Sequence, residues 1–309
     1  MTEIFRTPDE RFEHLPGYDF EPHYVQHGDL RLHYLDTNPT HPGAPVWFMH
    51  GEPTWSYLWR KVIPPVRDAG FRVIAPDMPG FGRSDKPTDI GWYSYDAHVE
   101  AMAALLLQLD LRDLTFVVHD WGGPVALRLA VEHPERVARL VILDTGLFTG
   151  RQHMSDAWIA FRDFVARTED LPIGFLVKGA CARDMPHEVF TAYEAPFPTP
   201  ESKAGARAFP LMLPTSPEMP GAEAGQRVLD ALPGLDVPKL VLWADKDPIL
   251  TAETGRRFAA AIGAPEPEFI ENASHFLQED AGEEIGQRVS SFVASGDSSP
   301  GSERAARSS

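Results

Sequence analysis

The stretch "VVHDWGGP", from Val117 to Pro124, places a carboxylate where an apolar strand breaks into two glycines and a proline. A reactive group in a strand-to-helix turn must project clear of the sheet while the backbone around it turns tightly. The residue two positions later must be small, as Gly122 is, although Val118, two positions earlier, is larger than the usual glycine. The stretch therefore predicts a nucleophile elbow with Asp120 at its tip.

The rest of the chain alternates short apolar runs with helical patterns, which is typical of an α/β fold with a mostly parallel sheet. A hairpin is expected at "YVQHGDLRLHYLD", and helices are expected at 56–70, at 94–110 with Ser94 as N-cap, and at 122–134. Six further strands bring the expected sheet to eight; they are 45–51, 71–77, 114–120, 138–144, 239–245 and 267–272.

Between residues 148 and 227 the strand pattern disappears and prolines and phenylalanines accumulate. We interpret this stretch as a helical cap inserted after the sixth strand. The expected core is then 1–147 and 228–294. Residues 295–309 have almost no apolar side chains, and we expect a disordered tail there.

Composition narrows the classes of function. The formal net charge is −17, and an acidic surface repels phosphate backbones, so nucleic-acid binding is not expected. One cysteine, Cys181, rules out an intramolecular disulfide and thiolate metal sites, and it fits a reducing compartment. We see neither a signal peptide nor a membrane span. We therefore expect a cytoplasmic protein, and a monomer is favoured although the oligomeric state stays open.

Asp120 has the chemistry of a nucleophile. A carboxylate with a pKa of about 3.9 is ionised at neutral pH, so it can attack a carbon that carries a leaving group and form an ester. The N-terminus of the following helix favours the charged form. The alternative is that Asp120 only caps the helix that starts at Trp121.

A histidine and an acid follow in the chain order of α/β hydrolases, nucleophile then acid then histidine. His275 follows the last expected strand in "FIENASHFLQED", and Asp247 follows the strand before it in "LWADKDP". Asp144, at the end of "LVILD", and Asp245 are the alternatives for the acid. With twelve histidines in the chain, His275 is singled out only by its place in this order.

A turn in "MHGEPTW", residues 49–55, follows another apolar strand. The N–H groups of Glu52 and Trp121 are candidates to hold a developing oxyanion, with Pro53 fixing the turn. The alternative is an ordinary strand-end turn.

Five motifs together resemble one family. "HGEPTWSYLWRK", "PDMPGFGRSDKP", "HDWGG", "WADKDP" and "ASHFLQED" are similar to haloalkane dehalogenases of the α/β-hydrolase superfamily, in the subgroup with two halide-binding tryptophans. The likeness spans residues 20 to 293 and includes the cap.

The resemblance implies a hydrolytic cycle. Asp120 would displace halide by in-line attack, and water activated by His275, itself oriented by Asp247, would hydrolyse the alkyl ester. It also implies a cis bond between Glu52 and Pro53. Carboxylate, imidazole and water complete the cycle, so no metal or organic cofactor is expected. The expected partners are a halogenated hydrocarbon, water and the released halide.

Two neutral indole N–H groups would receive the halide in such a subgroup. Trp121 is the first candidate, and Trp158, the cap's only tryptophan, is the second. The helical spacing of Trp158 with Phe161 and Val165 also fits simple packing. Candidate walls of the apolar pocket, each of which also fits a plain core residue, are Phe161, Phe164, Phe209, Pro210 and Leu250.

Other functions remain to be weighed. An epoxide hydrolase would share the aspartate nucleophile. Members of the family that it would resemble protonate the epoxide oxygen with two cap tyrosines, and this cap holds only Tyr193. A haloacid dehalogenase would need an arginine beside the nucleophile, where Trp121 stands. A serine esterase is excluded at this elbow, and a non-catalytic hydrolase-like binding protein would not need the complete set of acid, histidine and nucleophile.

Overall fold

The computed structural model describes residues 2–41 and 43–296. Its centre is an eight-stranded sheet. In chain order the strands are β1 (Pro22–His27), β2 (Leu30–Asp36), β3 (Val46–Met49), β4 (Val73–Pro76), β5 (Leu114–His119), β6 (Val137–Leu143), β7 (Lys239–Ala244) and β8 (Glu268–Ile270).

The strands lie side by side in the order β8-β7-β6-β5-β3-β4-β2-β1. The five pairs from β8 to β4 are parallel, and β2 is antiparallel to both of its neighbours. This is the mostly parallel sheet that the alternating sequence pattern predicts. All side chains of β3, β4 and β5 are buried, because helices cover both faces of a parallel sheet and each strand must be apolar throughout. A separate short pair joins Ile4–Phe5 to Lys86–Pro87.

The helices flank this sheet or lie between its last strands. They are α1 (Ile63–Asp68), α2 (Tyr95–Gln108), α3 (Gly122–Glu132), α4 (Asp156–Arg167), α5 (Ile173–Gly179), α6 (His187–Glu194), α7 (Ala204–Met212), α8 (Ala222–Ala231), α9 (Ala252–Ala261) and α10 (Leu277–Gly296). Shorter 3₁₀ segments are Asp9–Phe12, Ser56–Lys61, Ile90–Trp92, Pro134–Arg136, Glu201–Lys203 and Leu232–Gly234.

Two sequence-based expectations about helix ends have different outcomes. The Ser94 hydroxyl oxygen accepts a hydrogen bond from the Ala97 N–H, so the expected N-cap of α2 is confirmed. The continuous helix expected over 56–70 is wrong. The chain forms a 3₁₀ segment over Ser56–Lys61 and then α1. Pro64 has no N–H and its ring would clash with the carbonyl four residues earlier, so an α-helix can begin there but cannot pass through it.

The stretch that we named the cap contains α4 to α7 and the beginning of α8. No strand occurs among its residues, all of which the structure describes, and it enters the chain after the sixth strand of the sheet. The boundary placed at 227 falls inside α8, which continues to Ala231. Of the expected tail, residues 297–309 lie outside the described residues. No helix in the described part of the chain combines the length and the apolar character needed to cross a membrane.

Candidate active site

Asp120 occupies the sharp turn between β5 and α3. Its φ is 48°, a left-handed conformation that aspartate tolerates better than bulkier residues. The turn is tight on its far side as well, because a Cβ at Gly122 would lie 2.3 Å from the carbonyl oxygen of Met49. A backbone oxygen cannot move aside, so this position requires glycine. The strand, the turn and the helix thus have the arrangement that "VVHDWGGP" predicts.

His275 bridges two carboxylates. Its Nδ1 lies 2.7 Å from Asp247 Oδ2, and its Nε2 lies 3.6 Å from Asp120 Oδ2. The other oxygen of Asp247 accepts hydrogen bonds from the N–H groups of Ile249 and Leu250, at 2.8 and 2.9 Å. Those two bonds orient Asp247 so that its free oxygen meets the imidazole. The structure therefore brings Asp120, His275 and Asp247 together.

The two alternative acids have other partners. Asp144 is fully buried at the end of β6, and its Oδ1 accepts the Ala244 N–H at 2.9 Å. One oxygen of Asp144, one of Asp247 and a ring nitrogen of His275 all lie within 4.8 Å of one another. Burial first, and then the nearby charge of Asp247, raise the pKa of Asp144 well above its usual value. Asp245 is exposed and accepts the Ala273 N–H.

The charges on the three bridged groups follow from these contacts. Burial opposes ionisation of Asp247, but the charge and hydrogen bond of His275 outweigh it and lower the pKa of Asp247 to about 2. The pKa of Asp120 is lowered in the same way. Burial lowers the pKa of His275, yet Asp247 and Asp120 together raise it well above 6.5. These contacts favour the cationic form of His275 and the ionised forms of Asp120 and Asp247.

Backbone N–H groups point at the nucleophile from the loop after β3. The Glu52 N–H donates to Asp120 Oδ1 at 2.7 Å. A Cβ at Gly51 would lie 2.2 Å from that oxygen, so the close approach depends on glycine. The Glu52–Pro53 peptide bond is cis, as expected. The N–H of Trp121 also favours the charged form of Asp120.

The side chain of Glu52 was not anticipated from the sequence. It is 7% exposed, and its Oε1 has no hydrogen-bond partner in the described part of the chain. Burial, followed by the charge of Asp120, raises the pKa of Glu52 well above its usual value. Burial and the charge of Asp120 thus both favour the protonated form of the Glu52 carboxyl beside the nucleophile. The only sequence feature that could have indicated this side chain is its place between "HG" and a proline, at a residue whose N–H was expected to hold the oxyanion.

The two tryptophans belong to one buried apolar cluster. The Trp121 ring packs against Phe148 and Phe209, with ring centroids 5.3 and 4.8 Å apart. Trp158 is buried on α4, which packs against α7, the helix that carries Phe209. A cavity beside Trp121 is lined by Tyr95, Pro124, Leu147, Phe148 and Met212, among others.

The candidate wall residues are not all placed alike. Phe209 and Pro210 are buried on α7, and Phe161 and Leu250 are partly buried against the core. Phe164 is 42% exposed, so the structure does not bring it to the site. On α4 the buried positions are Trp158 and Val165, and Phe164 lies off that face.

His119 is a further neighbour that the sequence reasoning missed. Its Nε2–H donates to the main-chain oxygen of His275 at 2.8 Å. Burial lowers the pKa of His119 to about 3, so the ring stays neutral. Its place directly before the nucleophile, at the end of a buried strand, was the only signal.

Comparison with known proteins fits this geometry. The alpha/beta hydrolase fold family matches residues 44–282. "Haloalkane dehalogenase 1" of Mycobacterium tuberculosis is 44% identical over 298 residues, which is 94% of this chain and 98% of that protein. "Haloalkane dehalogenase" of Psychrobacter cryohalolentis is 40% identical, again over 94% of this chain and 98% of that protein. The solved structure of the tetrameric haloalkane dehalogenase DpaA from Paraglaciecola agarilytica has a TM-score of 0.87 at 34% identity, covering 93% of this chain and 97% of that one.

The sheet, the elbow and the bridged histidine define an α/β hydrolase, and the family match agrees. The relatives are similar over nearly the full length of this chain, and they narrow the class. The chain belongs to the haloalkane dehalogenases, hydrolases that act on carbon–halide bonds.

Proposed function

We propose that Asp120 is the nucleophile of a two-step hydrolysis of haloalkanes. The carboxylate attacks the carbon that bears the halogen, the carbon–halogen bond breaks, and an alkyl ester forms as halide leaves. Water activated by His275 then attacks the ester carbonyl, and the products are a primary alcohol, halide and a proton. The observation that carries this proposal is the bridging position of His275, whose ring nitrogens lie 2.7 Å from Asp247 and 3.6 Å from Asp120.

The charges explain how His275 becomes a base only after the ester has formed. In the free site the imidazolium balances two carboxylates, which keep the pKa of His275 raised. Ester formation removes the charge of Asp120. The pKa of His275 then falls, because only Asp247 still opposes the cost of burying a cation. The ring releases its proton to solvent and becomes the neutral base that takes a proton from the attacking water in the second step.

The second step also needs donors for a developing oxyanion. The Glu52 N–H already lies 2.7 Å from Asp120 Oδ1, and the Trp121 N–H favours the same charge. We propose that these two groups hold the oxygen of the tetrahedral intermediate. Preorganised donors of this kind typically contribute about 10²- to 10³-fold in rate.

The halide is proposed to leave toward Trp121 and Trp158. An indole N–H donates and carries no charge, so it stabilises the anion without trapping it. We further propose that residues 148–227 act as a cap and contribute Phe161, Phe209 and Pro210 to an apolar wall, to which Leu250 of the core also contributes. Which haloalkanes fit best is a matter for a screen of chloro-, bromo- and iodoalkanes.

An epoxide hydrolase is disfavoured by the position of Tyr193. Its hydroxyl donates to Glu279 Oε1 at 2.5 Å, and its ring packs edge-on against Tyr57. The residue is fully buried. It is therefore engaged in a buried ion-pair cluster and not free to protonate an epoxide oxygen.

We also propose a cytoplasmic monomer. The lone cysteine supports a reducing compartment. The similar protein DpaA is described as a tetramer, so light scattering of the purified protein is the direct test of the monomer.

The experiment that tests the mechanism is His275→Phe. We expect one halide released per protein molecule, followed by a stall with an alkyl adduct on Asp120 in the intact mass. Asp120→Ala should release no halide, and His187→Phe, at an exposed position on α6, should turn over like the unaltered protein. An unmodified Asp120 in a stalled His275→Phe sample would contradict the ester.

A further inference from the structure

The loop that carries His275 is fixed by groups outside it. The Ser274 N–H donates to Asp280 Oδ2 at 2.9 Å, and the Phe276 N–H donates to the Ala180 carbonyl at 3.2 Å. The residues on both sides of His275 are therefore tied by their N–H groups to other segments, and one of those segments belongs to the proposed cap.

Asp280 makes a second set of bonds, to the cap itself. Its Oδ2 accepts the Ala182 N–H at 2.9 Å, and its Oδ1 accepts the Arg183 N–H at 2.8 Å. Asp280 is 2% exposed, and α10 departs from helical geometry at Ala281, immediately after it. One buried carboxylate thus joins the histidine loop to residues 180–183.

Hydrogen bonds of this kind are strong enough to hold the two segments in a fixed relation. A backbone N–H that donates to a carboxylate forms a charge-assisted hydrogen bond, and breaking it leaves a buried donor without a partner. Caps and lids that close over a substrate often set the rate of an enzyme. Through this link, the position of the cap can affect how His275 is oriented toward the ester.

We propose that Asp280 is a positioning residue that couples the cap segment 180–183 to the His275 loop and aligns the imidazole for hydrolysis of the alkyl ester. This inference rests on the proposed two-step function. The coupling acts on the second step, because alkylation needs only the ionised Asp120 and an exit for halide. The first step should therefore proceed without it.

Two variants of Asp280 test the coupling at different strengths. Asp280→Asn keeps one acceptor oxygen, which can still serve Ser274 and Ala182, and loses the bond from Arg183. Loss of one such bond is worth about three- to tenfold, and we expect ester hydrolysis to slow by that factor. Asp280→Ala loses all three bonds, and a displacement of the base by about 1 Å can cost about 10²-fold. In both variants the halide burst should keep the rate and amplitude of the unaltered protein.

Rapid-quench halide assays and intact mass spectrometry separate the two steps, and two other carboxylates serve as controls. Asp184→Asn removes an exposed charge immediately after the cap segment 180–183 and should change neither step. Glu279→Gln disturbs another cap anchor, through Tyr193 and Arg60, and its side chain makes no bond to the histidine loop. It should lower the melting temperature without slowing hydrolysis selectively.

The outcomes separate this inference from the proposed function. If the unaltered protein forms no alkyl adduct even when quenched within its first turnover, the two-step function itself fails. If the adduct forms, and Asp280→Asn hydrolyses it at the unaltered rate, the coupling is refuted, whether or not Asp280→Ala can be purified. An equal slowing of both steps in the Asp280 variants, or the same selective slowing in Glu279→Gln, would also refute it.

Discussion

Replacement of Asp247 by asparagine is expected to stall the enzyme after one halide per molecule. The reason lies in the bonds of its two oxygens. Oδ1 accepts the N–H groups of Ile249 and Leu250, so the single oxygen of asparagine must stay there. The amide NH₂ is then left facing His275 Nδ1.

That arrangement forces the wrong tautomer on the imidazole. An NH₂ group can only donate, so Nδ1 of His275 must accept, and the ring proton moves to Nε2. Nε2 can then take no proton from water. The same change in Ser-His-Asp triads lowers kcat about 10⁴-fold. We expect hydrolysis of the ester to slow by about 10³- to 10⁴-fold, which corresponds to about 4–5.5 kcal/mol in the barrier.

The assay is rapid-quench halide release combined with intact mass spectrometry, with Asp144→Asn as the matched control. The amide oxygen of the substituted side chain can still accept the Ala244 N–H, as Asp144 does. Burial and the charge of Asp247 raise the pKa of Asp144, so a neutral amide disturbs this position less than it disturbs Asp247, and this control should keep steady turnover. Steady turnover by Asp247→Asn together with inactive Asp144→Asn would refute the reasoning and make Asp144 the acid.

Three further outcomes are expected. Gly122→Ala should lower the free energy of unfolding in urea by about 2 kcal/mol, because its Cβ meets the Met49 carbonyl oxygen at 2.3 Å; an unchanged midpoint would contradict the tight elbow. Asp247 has its pKa depressed from 3.8 to about 2, so it stabilises the fold by about 2 kcal/mol above pH 4, and this is lost as the pH falls through 2. We expect the unaltered protein to lose this stabilisation as the pH falls from 4 to 2, whereas Asp247→Asn, which has no carboxyl to protonate at that position, should not. Urea unfolding at a series of acid pH values would show the two free energies of unfolding converge over this range. Trp158→Phe should weaken halide binding about tenfold in fluorescence titrations, whereas lower stability with unchanged affinity would indicate a packing role.

The sheet was predictable because each of its features has a local signal. Runs such as Leu114–His119 have four apolar residues in six, as expected for a buried parallel strand, and Gly122 with Pro124 marks the turn into a helix. The helix expected over 56–70 is wrong because Pro64 lacks an N–H and its ring crowds the preceding turn, which favours a new helix start at this point.

Chain order alone left the acid open between Asp247, Asp144 and Asp245, and only the family resemblance favoured Asp247. Asp144 and Asp247 both follow strands that end at the same edge of the sheet, so chain order admits either. The choice depends on which backbone N–H groups meet which oxygen. Those of Ile249 and Leu250 turn Asp247 toward His275, and that of Ala244 engages Asp144. Such bonds form only when the chain is folded, and the same holds for the three N–H groups at Asp280.

The burial of so many acids around one histidine has a physical consequence. Asp120, Asp247, Asp144 and Glu52 cannot all be ionised within a site of low polarity, since each charge raises the cost of the next. The two that contact His275 stay charged, and the pKa values of the other two are raised. In the proposed mechanism, ester formation at Asp120 removes one charge that opposes ionisation of Glu52 and one charge that stabilises the cation of His275, so the first step changes the electrostatic balance on which the second depends.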